Sequence, residues 1–166
     1  MNVDVDTIID LPLEVTSKID TWILKFPNGR KKSALIAALT IVQEHNNGWL
    51  SRELLDAVAA YLELPKIAVY EVASFYSMFE LKPVGKYKIC VCTNVSCMLC
   101  GCKKIVSHLK NKLNLDFGQT TKDSKFTLKE IECIAACDKA PVIQVNGKYF
   151  ENVTIESVDQ ILAELE

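Results

Sequence analysis

Apolar positions recur with a helical period through the first half of the chain. Ile19, Trp22, Ile23 and Phe26 stand at i, i+3, i+4 and i+7, one face that Pro27-Asn28-Gly29 ends. Ser33 is placed to cap a second helix with Leu35, Ile36, Leu39 and Val42 inward, running out at His45-Asn46-Asn47-Gly48. Ser51 caps a third, with Glu53 in its first turn and Leu54, Leu55, Val58, Tyr61 and Leu62 turned inward. Pro65 suits the first turn of a fourth helix over residues 66–79, which is apolar nearly all round. Such a short helix is either a buried core element or faces a partner. Residues 1–14 hold four acids and few packing signals, so a loose lead-in is expected there.

Leu81-Lys82-Pro83-Val84-Gly85 breaks the pattern, and the period then changes. Tyr87, Ile89 and Val91 alternate with Lys88 and Cys90, which predicts a strand over 86–92. Ile105, Val106, Leu109 and Leu113 make a helix, and 114–125 reads as a polar loop. Phe126, Leu128 and Ile131 begin a second strand, and 142–145 is a third. Asn146-Gly147 is a hairpin turn into 148–153, and a last helix over 155–165 turns Val158, Ile161, Leu162 and Leu165 inward. The expected class is α+β. A helical region, 15–81, precedes a compact module of strand, helix, three strands and helix over 82–166.

Composition narrows the class. The 166 residues are 49% apolar and 24% charged with a net charge of −2, the balance of a soluble globular protein. That charge is too small for a nucleic-acid binder, and no apolar run has the length of a membrane span. The acidic opening, with Arg30 the first arginine, argues against a secretory signal or a transit peptide. A cytosolic protein is expected.

The chemistry lies in one stretch. All seven cysteines fall between Cys90 and Cys137. An odd count in a reducing compartment points to metal or redox work rather than disulfides. Cys92 and Cys97 are separated by four residues just past a strand, and Cys133 and Cys137 by three in a like position. Two such pairs can give four thiolates to one centre, either tetrahedral zinc or an iron–sulfur cluster. The wide gaps favour two sulfide-bridged irons. A rival is the Cys97-Met98-Leu99-Cys100 pair, a thiol–disulfide site if it opens a helix. Cys90, and with it Cys100 and Cys102, reads more simply as a buried small hydrophobe. Cys100 is expected to begin the helix one turn beyond Cys97, with Cys102 part-way round it. There is no glycine-rich dinucleotide fingerprint, no phosphate loop and no catalytic triad order.

Several runs together resemble one family. They are Val91-Cys92-Thr93-Asn94-Val95-Ser96-Cys97-Met98, Gly118-Gln119-Thr120-Thr121-Lys122-Asp123 and Cys133-x-x-x-Cys137-Asp138-Lys139-Ala140-Pro141-Val142. In the first half Gly48-Trp49-Leu50-Ser51 and the stretch from Val69 to Phe79 match as well. The resemblance is to the thioredoxin-like [2Fe-2S] ferredoxin subunits of respiratory complex I, the NADH-quinone oxidoreductase. It implies one [2Fe-2S] cluster on Cys92, Cys97, Cys133 and Cys137, with FMN and NAD only on a neighbouring subunit. It implies docking to that flavin-bearing, NADH-oxidising subunit and to the large iron–sulfur subunit, on the cytoplasmic face of a bacterial inner membrane. A related subunit serves soluble NAD-linked hydrogenases and formate dehydrogenases. Members commonly have a glycine where this chain has Ala135, so a positive φ there would strain the loop.

Overall fold

The computed structural model describes residues 9–165; of the expected lead-in, residues 1–8 lie outside the described residues. The described chain forms two compact units that meet in sequence between Pro83 and Val84.

The first unit is helical: α1 (Leu13–Ile23), α2 (Leu35–His45), α3 (Arg52–Leu62) and α4 (Lys66–Phe75). Its core gathers Val15, Ile19, Leu39, Val42, Val58, Leu62 and Val69. Helix α1 starts inside the segment expected to be loose. Ser51 does cap α3, its hydroxyl accepting from the N–H of Leu54. Ser33 does not cap α2; it lies in a 3₁₀ turn (Lys31–Ala34) that runs straight into the helix. Ile36 and Trp22 also differ from expectation, being 40% and 41% exposed. Trp22 stacks under the Lys25 ammonium, 3.5 Å from the ring centre, which suits an aromatic face left in water.

Helix α4 stops at Phe75, not Phe79, because Tyr76 turns extended. A distant side chain holds the new course. The Gln43 amide donates to the carbonyl of Met78 and accepts from the N–H of Glu80, and the N–H of Leu50 donates to the carbonyl of Glu80. Phe79 is thereby drawn into the core, while Tyr70 donates to Asp56.

The second unit is built on one sheet. Its elements are β1 (Tyr87–Cys92), α5 (Val95–Leu99), α6 (Cys102–Leu113), β2 (Gln119–Thr120), β3 (Phe126–Ile131), β4 (Ile143–Val145), β5 (Lys148–Phe150) and α7 (Ile155–Glu164). Strand order is β2-β3-β1-β4-β5, and β1 with β3 is the parallel pair. Ile89, Val91, Leu128, Ile143 and Val145 pack with Ile105 and Leu109 of α6 and Val158 and Leu162 of α7. Alternation along β1 sends Cys90 and Cys92 to the opposite face from Ile89 and Val91.

Two elements depart from the sequence expectation. The polar loop contains β2, a two-residue edge strand whose Gln119 and Thr120 pair with Leu128 and Thr127. The cysteine loop contains α5, started by the Asn94 side chain accepting from the N–H of Val95. No helix among the described residues is long and apolar enough to cross a membrane.

Candidate metal centre

Parallel strands that pair directly deliver their C-terminal loops to one end of a sheet, and both cysteine pairs use this. Cys92, the last residue of β1, registers with Ile131, the last of β3, and Cys133 follows two residues on. The end of β1 is fixed from both sides. The N–H of Cys92 donates to the carbonyl of Val142, and the N–H of Thr93 to that of Ile131.

Cys97 is the third residue of α5 and is buried. It packs with Cys92 and Val142 in one small buried cluster, and the Cys92 thiol faces the carbonyl of Glu132. Burial above all, then the neighbouring Cys92 thiol, pushes the Cys97 thiol up to about 11. That opposes the low-pKa thiolate a thiol–disulfide enzyme needs. Cys100, its partner in that rival reading, does not begin a helix: it is exposed at the end of α5. The chain restarts as α6 only after Gly101, whose φ of 90° breaks the helical run.

The second pair is arranged otherwise. Cys133 and Cys137 are both exposed, Cys133 in the loop after β3 and Cys137 opening a 3₁₀ turn (Cys137–Lys139). The N–H of Ala135 donates to the Cys133 sulfur at 3.3 Å. Between them Ile134 is buried against Cys92, Cys97, Cys102 and Val142, with Ala136 and Ala140 alongside. The structure thus brings Cys92 and Cys97 together and lays the backbone of the second loop against them. It does not gather all four sulfurs: among the described residues no three His, Cys, Asp or Glu side chains already form a metal site. Cys90 is buried mid-strand. Cys102, expected part-way round the Cys97 helix, is instead the first residue of α6 and is buried beside Cys92 and Cys97. Gly101 before it was the sequence signal for that break.

The donor set suits an iron–sulfur cluster: four thiols on two neighbouring loops, with the backbone N–H of Ala135 already aimed at the Cys133 sulfur. Ala135 does adopt the left-handed conformation, with φ of 56°. Ala135→Gly relieves about 1–2 kcal/mol of left-handed strain against about 0.5–1 kcal/mol of added backbone entropy, so a net stabilisation of about 0.5–1 kcal/mol is expected. Thermal unfolding measures it, and a lower melting temperature would show that the loop needs the alanine.

Fold and site define a thioredoxin-like module with two cysteine-bearing loops at one end of its sheet. Residues 19–166 match the model of the thioredoxin-like [2Fe-2S] ferredoxin family, and the chain belongs to that family. It is 46% identical over 142 residues to an NADH-quinone oxidoreductase subunit of Rickettsia felis, covering 86% of this chain and 85% of that protein. It is 37% identical over 159 residues to the mitochondrial NADH dehydrogenase [ubiquinone] flavoprotein 2 of Dictyostelium discoideum, covering 96% of this chain and 64% of that one. An NAD+-reducing [NiFe]-hydrogenase structure shares the fold, with a TM-score of 0.68 at 24% identity over 79% of this chain and 22% of that one.

Proposed function

We propose that this chain is an electron-transfer subunit of an NADH-quinone oxidoreductase, holding one [2Fe-2S] cluster on Cys92, Cys97, Cys133 and Cys137. The observation that carries the ligand set is the delivery of both cysteine loops to one sheet end by the β1–β3 pair. Bound there, the cluster supplies a one-electron step, exchanged with the FMN of a neighbouring NADH-oxidising subunit. This chain's own part is to hold and tune. Cys92 and Cys97 give two sulfurs screened from water, and the N–H of Ala135 favours negative charge on the Cys133 sulfur. Exposed Lys103, Lys104 and Lys139 flank the cysteine segments. The likeness to the hydrogenase is one of fold, whereas relatives at 43–46% identity spanning most of both chains carry the quinone-oxidoreductase name. Visible absorption of anaerobically purified protein tests the reading. A red-brown protein with iron and acid-labile sulfide is expected, and a colourless one holding zinc would overturn it.

Residues 15–81 serve as the docking region for the flavin-bearing subunit, with the large iron–sulfur subunit as second neighbour. The assembly places the chain on the cytoplasmic face of the inner membrane. On α4 and just beyond it, Phe75 is 80% exposed and Ile67 62%, with Tyr76, Met78 and Leu81 also open. Large apolar side chains left in water at this density mark interfaces. Phe75→Glu is expected to weaken binding of the flavin-bearing subunit by about tenfold or more, as buried aromatic anchors do. Titration calorimetry with that subunit measures it, and unchanged affinity would remove α4 from the interface.

A further inference from the structure

Of the three cysteines outside the proposed ligand set, one is placed differently from the others. Cys100 is exposed, and Cys90 is fixed mid-strand in β1. Cys102 is 2% exposed and shares one small apolar cluster with Cys92, Cys97, Ile134 and Val142. Its side chain packs in that cluster directly beside the two sulfurs of the first loop. We infer that Cys102 is a reserve cluster ligand, able to take the coordination position of Cys97 when that thiol is lost. The inference rests on the ligand reading above.

The backbone permits the exchange. Cys102 is the first residue of α6, where N–H groups have no partner within the helix, so moving it breaks little. Gly101 ahead of it has φ of 90°, no side-chain capping bond, and open space around its missing Cβ. A pocket of about 420 Å³ lined by Thr93, Met98, Cys102, Lys103, Val106 and Glu130 leaves the first turn room to shift. In the exchange the iron position left without the Cys97 sulfur would give up solvent or the substituted side chain, the Cys102 thiol would release its proton to solvent, and its sulfur would bond iron. No electron is transferred.

The test uses the full chain, assembled with iron and sulfide, with circular dichroism confirming that each variant folds. Cys97→Ser is expected to keep iron and sulfide near the wild-type content with an altered visible and paramagnetic spectrum. Cys97→Ser/Cys102→Ser is expected to hold on the order of tenfold less iron, having too few thiols to close the cluster. Cys97→Ser/Cys100→Ser should behave as Cys97→Ser alone. The same three comparisons built on Cys97→Ala cover the case in which a buried serine unfolds the protein. If folded Cys97→Ser already loses its iron, the reserve role is overturned and the ligand reading stands. If the Cys100 double variant is the one that bleaches, the inference fails in favour of Cys100. If Cys97→Ser keeps the native spectrum while Cys102→Ser alone bleaches, the ligand reading falls with it.

Discussion

Serine at Cys133 or at Cys137 is expected to leave a folded but colourless protein. A [2Fe-2S] cluster needs four terminal ligands, and serine is a far harder and more basic donor than cysteine thiolate. The loop that carries this pair has no third cysteine: from Glu132 to Pro141 the sequence offers only Cys133 and Cys137. The nearby spare thiol, Cys102, is buried on the Cys92 and Cys97 side. Both loop side chains are exposed, so the substitutions leave the apolar cluster around Ile134 and Val142 intact and cost little stability. Iron content should therefore fall by about tenfold or more while the melting temperature of the cluster-free protein stays within a few degrees of wild type. Absorption spectra with iron and sulfide assays decide it. A Cys133→Ser protein that keeps the native spectrum would remove that residue from the ligand set.

The contrast between the two pairs also shows what the sequence could carry. Each pair's spacing, and its place just after a strand, was legible in one dimension, because strand alternation and the turn residues around it are local signals. That Cys92 and Cys97 would be buried and Cys133 and Cys137 exposed was not. It depends on the parallel register of β1 with β3, set across some forty residues. The same limit explains α4. Its apolar run continues to Phe79, yet the helix stops at Phe75 because Gln43, far away in sequence, binds the backbone of 78–80. Helix α5 was illegible for another reason. It is five residues long and exposes Val95, Met98 and Leu99, so it has no periodicity to detect and is held by Asn94 and the burial of Cys97. Strand β2 is shorter still and polar, and its presence follows only from pairing with β3. The Ala135 conformation was legible through resemblance alone, since nothing in an alanine announces a positive φ.

Gly85→Ala is expected to destabilise the second unit while leaving the cysteine loops their ligands. Gly85 stands just before β1, and a methyl group there would lie 2.9 Å from the carbonyl carbon and oxygen of Lys125 and from the carbonyl carbon of Phe126. Those are backbone atoms at the start of β3, and they have nowhere to move without opening the parallel pair. The junction is closely laced. The N–H of Gly85 donates to the Thr127 hydroxyl, itself buried and bonded to Thr120, while Lys86 and Tyr87 donate to the carbonyls of Ser124 and Lys125. Relieving the clash must lengthen several of these bonds, so overpacking of about 1–3 kcal/mol is the expected cost. For a unit of this size that lowers the melting temperature by roughly 4–24 °C. Gly147→Ala is the comparison that separates steric clash from backbone strain: Gly147 has φ of 85° but nothing within 4 Å of the added carbon, whereas Gly85 meets the clash without a left-handed φ. Both cysteine loops leave the opposite end of β1 and β3, where Cys92 registers with Ile131. In the cold, Gly85→Ala should therefore keep its colour and iron. On heating, loss of visible absorption should follow unfolding to the same lower temperature. Hydrogen exchange should locate the weakening among the β1 and β3 amides, leaving protection in the separate core of α1–α4 unchanged. A Gly85→Ala protein that melts with wild type would mean the Lys125–Phe126 backbone yields freely, and that the β1–β3 junction is not what holds the two loops at one end of the sheet.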